Sequence, residues 1–272
     1  MHFGFIFTGS DPRQVVEWAP QAEAAGWDAF FFWDTVWGPD PWVTLGACAV
    51  RTERVRLGNI ITPVSRRRPW KLAAEVATLD QLSNGRAILA VGLGTLETGF
   101  ESFGEATDRK VRAELLDEGL EIINGLWQGQ PYSFAGKHYQ VTPTTFPAPA
   151  PPVQQPRPPI WVVGAWPRPR SLERALRWDG ILPNKMTGPG QFSEMTPADL
   201  RELKAYVDEH RTASTPFDIV MEGVTDGGTT NRGADKVRPL AEAGATWWVE
   251  SQWSTPSQED VRKRMLQGPP RL

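Results

Sequence analysis

Residues 54–94 carry one complete strand, helix, strand unit, and no other stretch limits the possible folds as tightly. Residues 55–61 are apolar and rich in β-branched side chains, as in a buried strand, and Thr62-Pro63 marks its end. Pro69 stands where a helix can begin, because a first-turn proline gives up only an N–H that has no intrahelical partner. Leu72, Ala73, Val76, Leu79 and Leu82 then recur at helical spacing and predict one inward stripe. Asn84-Gly85 supplies the left-handed backbone on which such a helix ends. Residues 87–91 are apolar without polar alternation, the pattern of a strand covered on both faces. Two parallel neighbours joined by one helix follow, with a right-handed crossover.

The same alternation runs through the rest of the chain. Residues 3–7 predict a first strand, and Ser10-Asp11-Pro12 caps and starts a helix with Val15, Trp18, Ala22 and Ala25 inward. Residues 29–33 form a second strand, ended by Asp34, and 42–50 a second helix. After the fourth strand the period stretches. A helix is predicted over 111–127, with Leu115, Leu116, Leu120, Ile123 and Leu126 inward, and a hairpin over 132–141. Between 143 and 159 proline is too dense for a helix or a central strand, so this part reads as a rigid connector packed on the surface. Strands at 160–164, 180–183, 217–224 and 246–250 then alternate with helices over 168–178, 197–211, 234–243 and 256–265. Eight strands and eight helices are the count of a closed (β/α)8 TIM barrel, here one domain over 1–272. The hairpin and proline-rich connector are an insertion between strands four and five, and the tail 267–272 is expected to be ordered only by docking.

Composition removes several function classes. A net charge of −3 from 29 basic and 32 acidic residues gives no overall field for nucleic acid. The lone Cys48 excludes an internal disulfide, and its apolar setting LGACAV predicts an inert core thiol. No apolar run reaches membrane-spanning length, and MHFGFIF is too short for a signal peptide and lacks a basic flank, so a cytoplasmic protein is expected. The histidines His2, His138 and His210 have no metal-ligand spacing, and no metal is expected. Neither Gly-x-Ser-x-Gly nor a Walker loop is present.

In such a barrel the reacting groups lie on the loops after each strand. Those loops collect Thr8 and Gly9, then Asp34, Thr35 and Trp37, then Thr62, Ser65, Gly92, Gly94 and Glu97. Later loops add Gly164, Ala165, Trp166, Asn184, Lys185, Glu222, Glu250, Gln252 and Trp253. Thirteen tryptophans are many, and Trp33, Trp37, Trp42, Trp166, Trp248 and Trp253 fall at or near strand ends, where they would wall a ring-shaped ligand. Gly92, Gly94 and Gly164 either admit a flat ligand to the backbone or simply turn the chain. Arg168 and Arg170 at a helix start suit a phosphate. The run Arg66-Arg67-Arg68 reads as a solvated face, with one member available to an anionic group at the mouth. Asp34, at the end of an apolar strand, must be paired, hydrated or used on a ligand.

The segments AEAAGWDAFFFWD, ACAVRTERVRLGNIITPV, AAEVATLDQLSNGRAILAVGLG, LLDEGLEIINGLW, FAGKHYQV, PVQQPRPPIWVVGAWPRPRSLERALRWDGILPN and AEAGATWWVES together resemble the bacterial luciferase-like superfamily of flavin and deazaflavin oxidoreductases. The resemblance implies FMN, or alternatively coenzyme F420, at the C-terminal mouth, with the ring against the end of strand three. It places a non-proline cis peptide within 58–62 and the cofactor phosphate near 164–170. On this basis Asp34, Trp37 and Glu97 are the catalytic candidates. Trp33, Asp34, Ile61, Thr62, Gly92, Gly94, Gly164, Ala165, Trp166, Arg168, Arg170 and Asn184 are the cofactor-binding candidates. One departure matters: F420-dependent alcohol and sugar dehydrogenases follow the strand-two aspartate with a catalytic histidine, where this chain has Thr35. That removes the obvious general base for alcohol oxidation and leaves the cofactor open; the implied activity is an FMN-dependent oxidoreductase or monooxygenase acting on a small organic substrate, with F420-dependent hydride transfer as the alternative. A separate flavin reductase and a second copy in a homodimer are the partners so implied. Two rivals remain: a non-catalytic flavin-binding protein, and an isomerase or aldolase barrel built on Lys185, Glu222 and Glu250.

Overall fold

The structure, a computed structural model, describes residues 1–144, 149–188, 191–226, 232–254 and 257–272. In chain order β1 (His2–Ile6), α1 (Pro12–Ala24), β2 (Ala29–Phe32), α2 (Pro41–Ala49), β3 (Arg56–Pro63), α3 (Pro69–Leu82) and β4 (Ala87–Gly92) form the regular first half. Then come α4 (Arg109–Trp127) and the hairpin of β5 (Phe134–Ala135) and β6 (Gln140–Val141). The second half is β7 (Ile160–Trp166), α5 (Pro169–Leu176), β8 (Gly180–Gly188), β9 (Gln191–Ser193), α6 (Pro197–His210), β10 (Asp218–Gly223), α7 (Arg232–Glu242), β11 (Trp247–Ser251) and α8 (Gln258–Leu266). All pairings among β1, β2, β3, β4, β7, β8, β10 and β11 are parallel, and β10 meeting β8 closes the ring into the expected TIM barrel. The short β9, which the sequence did not announce, adds antiparallel to the far end of β8.

Strand alternation builds two cores. Phe31, Ile60, Ile88, Ala90, Trp161, Leu182, Val220, Trp247 and Val249 face the barrel interior, while Phe5, Phe30, Phe32, Leu57, Leu89 and Val162 face the helices. Phe31 and Trp161 lie 5.9 Å apart, and Trp161 and Trp247 5.2 Å, so three large rings fill the centre. The neighbours of Phe31 must be small in return: a Cβ on Gly4 would stand 2.6 Å from its ring.

The inward stripe of α3 is Leu72, Ala73, Val76 and Leu79, but Leu82 is 49% exposed, against expectation. Ten residues after Leu72, at 3.6 residues per turn, it has rolled roughly 80° away around the helix axis. Asn84 and Gly85 take positive φ of 55° and 84° and end the helix as predicted. The proline-rich connector is pinned to this helix. Gln154 donates its backbone N–H and its side-chain amide to the fully buried Asp80, at 2.9 and 2.7 Å. Residues 145–148 of that connector lie outside the described residues.

Candidate active-site cleft

A cleft of about 1990 Å³ opens at the C-terminal ends of the strands. It exceeds the roughly 300–1,000 Å³ of a single small-molecule pocket, which leaves room for a ring cofactor and a substrate together. Its apolar floor is the top of the barrel interior: Ile60, Ile61, Val163, Leu182 and Val220. The Ile60–Ile61 peptide is cis, within the stretch the resemblance indicated, and the register with β4 shifts between Asn59 and Thr62.

Of the residues expected from the sequence, Trp33, Asp34, Ile61, Gly94, Glu97, Ala165, Arg168, Arg170 and Asn184 line the cleft. The other five lie elsewhere, for local reasons. Thr62 is fully buried with its hydroxyl oxygen accepting from Asn59 Nδ2 at 2.9 Å. In β7, Trp161 and Val163 point inward, so Gly164 and Trp166 point outward: a Cβ on Gly164 would collide with Ile181, and Trp166 packs on Tyr206. Gly92 does face inward, but the space a Cβ would need is filled by Ile61 and Val163. Trp37 is 84% exposed on its loop and contributes no wall.

Asp34 lies at the edge of the cleft with its side chain only 3% exposed. Arg66 Nη2 stands 3.2 Å from one carboxylate oxygen and Arg67 Nη2 3.1 Å from the other. Arg67 also reaches Glu75 at 3.3 Å, where burial pushes the Glu75 carboxyl above its usual range against the pull of Arg67. The reading of Arg66 and Arg67 as a solvated face is therefore corrected. A 3₁₀ turn over Val64–Arg66 follows β3 directly, and both guanidinium groups end up next to the carboxylate that closes β2. Only Arg68 stays exposed. Arg66 and Arg112 both lie over the Phe100 ring, at 5.3 and 5.4 Å from its centroid. Arg112 also donates to the carbonyls of Leu93 and Gly94, at 2.9 and 3.0 Å. Gly94 has φ of +78°, and a Cβ there would come within 2.7 Å of Phe100, so only glycine fits this clamped loop.

Two kinds of surface meet across the cleft. On one side Arg109 and Lys110 at the start of α4, and Arg168 and Arg170 at the start of α5, line the wall with no ion pair or hydrogen bond from their side chains among the described residues. Arg174, the next cation on α5, is already paired with Asp117 at 2.8 Å. On the other side stand Glu222, Trp33 and Trp253. The Glu222 carboxylate accepts from Trp253 Nε1 at 2.7 Å, and Trp33 Nε1 donates to the Gly9 carbonyl at 2.9 Å. The strand period was the signal for Glu222: Val220 points inward, so Glu222 projects above it. The other residues of the isomerase or aldolase reading do not join it. Lys185 donates to Asp199 at 2.7 Å, outside the cleft, and the fully buried Glu250 accepts from Thr225, Trp248 and Gln252 beside Arg264.

A family model described as luciferase-like monooxygenase matches residues 2–225. The chain belongs to that family. This luciferase-like protein is 30% identical over 209 residues to an F420-dependent glucose-6-phosphate dehydrogenase of Nakamurella multipartita, covering 70% of the chain and 58% of the relative. It is 36% identical over 124 residues to the oxygenase component of a flavin-dependent trigonelline monooxygenase of Acinetobacter baylyi, covering 46% of the chain and 34% of the relative. The match therefore spans less than two thirds of either relative. In fold it is similar to the coenzyme F420 dependent tetrahydromethanopterin reductase of Methanopyrus kandleri, with a TM-score of 0.78 over 98% of both chains at 20% identity. Homologues of both cofactor types thus surround a chain whose family is that of oxidoreductases.

Proposed function

We propose that this luciferase-like oxidoreductase holds F420 in the cleft and uses it to reduce a small organic substrate. The observation that carries this is the set of four unpaired cations, two at the start of α4 and two at the start of α5, on one wall above an apolar floor. F420 spreads a phosphate and further carboxylates along its side chain, whereas FMN offers a single phosphate, so two separate cationic positions suit the longer anion. The resemblance alone put FMN first; the charge layout of the cleft and the dehydrogenase relative support the reverse order. FMN stays as the second reading, supported by the monooxygenase relative, and only that reading calls for a flavin reductase as partner.

When bound, the cofactor supplies two-electron transfer to or from the substrate. The chain would supply the rest. Ile60, Ile61 and Val163 offer a dry floor, Gly94 close backbone approach, and Asn184 a hydrogen-bonding amide. Arg109, Lys110, Arg168 and Arg170 would hold the anionic tail. Asp34, held between Arg66 and Arg67, is poorly placed to take a hydroxyl proton, and Thr35 leaves no histidine beside it. Reduction therefore fits this cleft better than alcohol or sugar oxidation.

Titration of the full chain with F420 and with FMN, followed by fluorescence, tests the proposal. F420 should bind more tightly, and Arg168→Ala with Arg170→Ala should weaken it by about tenfold, a loss near 1.4 kcal/mol, with an unchanged melting temperature. Affinity untouched by that double change would refute the cation assignment. The proposal extends to a homodimer, with α2 and the end of α3 as its contact, since Val43 at 76%, Val50 at 67% and Leu82 at 49% exposure stand on their outer faces.

A further inference from the structure

Around the closed barrel β10, β11, β1 and β2 are consecutive neighbours, and β4 with β7 stand across from them. The four unpaired cations belong to the helices that follow β4 and β7. The facing wall carries no free cation among the described residues. Lys236, which also lines the cleft, gives its ammonium to the Val224 carbonyl at 3.0 Å and lies 5.7 Å from the Trp248 ring.

Three features make this wall a built site. Glu222 is the carboxylate that strand alternation sets above Val220 on this wall, where it is exposed, and among the described residues it takes one hydrogen bond and no ion pair. Beside it the rings of Trp33 and Trp253 stand at 89° with centroids 5.9 Å apart, forming an aromatic corner. Both rings are held in place before any ligand arrives, Trp33 through Gly9 and Trp253 through Glu222. A ring face attracts a cation through its quadrupole, and a neighbouring carboxylate adds direct Coulomb attraction. A neutral ligand of the same shape gains only burial there.

We propose that the substrate taken at this wall is an organic cation, an alkylammonium or an N-alkylated heteroaromatic ring, seated in the Trp33–Trp253 corner against Glu222. This deepens the oxidoreductase reading and rests on the cleft being its substrate site. The two ligands would then lie apart, the anionic cofactor tail along the free cations at the starts of α4 and α5 and the organic cation at the facing wall.

Isothermal titration of the full chain without cofactor, at constant ionic strength, with choline and with its neutral isostere 3,3-dimethylbutan-1-ol, tests the inference. Choline should bind at least about tenfold more tightly. Glu222→Gln keeps the shape and the acceptor for Trp253 while removing the charge, and it should erase that preference. Trp253→Leu should weaken choline more than the alcohol. Equal affinities in the wild type, no choline binding at all, or a preference that survives Glu222→Gln would each overturn the cation site. Titrating the same preparations with F420 keeps the two readings separate. Variants that bind F420 as the wild type does while losing the choline preference support the division of the cleft. A wild type that discriminates choline but binds neither F420 nor FMN defeats the oxidoreductase reading and leaves the cation site standing.

Discussion

Asp34 illustrates how far a single residue can be read without its neighbours. Its place after an apolar strand required a partner, but only the structure supplies two guanidinium groups, one of them Arg66 with no other counter-charge among the described residues. Asp34→Ala should therefore cost about 3 kcal/mol in denaturant unfolding, because it leaves a buried cation without compensation. A variant that loses activity at wild-type stability would show that the carboxylate serves the ligand more than the fold. Cys48 is the opposite case, legible from its apolar context alone. Burial pushes its thiol up to about 12, so it should resist alkylation until the barrel unfolds, which a thiol reagent monitored against denaturant will report. Trp37 and Trp166 mark where residue-level reading stopped. Trp37 lies on the loop after β2 and is solvent-exposed, while Trp166 ends β7 and is turned toward α6, because a strand end fixes position along the axis and only the pleat fixes the face.

Among the elements, the inserted hairpin shows how a two-residue pair of strands is held. Glu118 on α4 accepts from the backbone N–H groups of Lys137, His138 and Tyr139 at 2.8, 2.9 and 3.0 Å. Glu114, one turn earlier, takes the Lys137 ammonium at 2.7 Å and the His138 ring at 2.8 Å. Those two side-chain hydrogen bonds, that of Lys137 first, hold the Glu114 carboxyl at about 2, well below its usual 4.5. A depressed carboxyl contributes its stabilisation fully above the ordinary glutamate range and loses it as pH falls toward the folded value. Glu114→Gln should therefore lower the melting temperature at neutral pH, and the gap to wild type should close as the pH approaches 2. A gap independent of pH would assign the effect to packing. The hairpin itself was legible in FAGKHYQV; its docking was not, because the two glutamates lie some twenty residues away on another element.

At the scale of the whole molecule, the exposed apolar residues of α2 and α3 bear on assembly. Val43→Lys with Val50→Lys should turn the proposed dimer into a monomer in light scattering after size exclusion, with the barrel's circular dichroism unchanged. A wild type that is already monomeric removes that part of the proposal. Periodicity and turn chemistry by themselves determined the eight strands, the eight helices and the insertion, since each depends on residues within one local window. What only the tertiary structure decided was which residues stand opposite one another. Closing β10 onto β8 sets Glu222 and Trp253 across from Arg109 and Arg168, and folding the turn after β3 onto β2 buries Arg66 and Arg67. Both outcomes depend on distances between segments far apart in the chain, which no local pattern encodes.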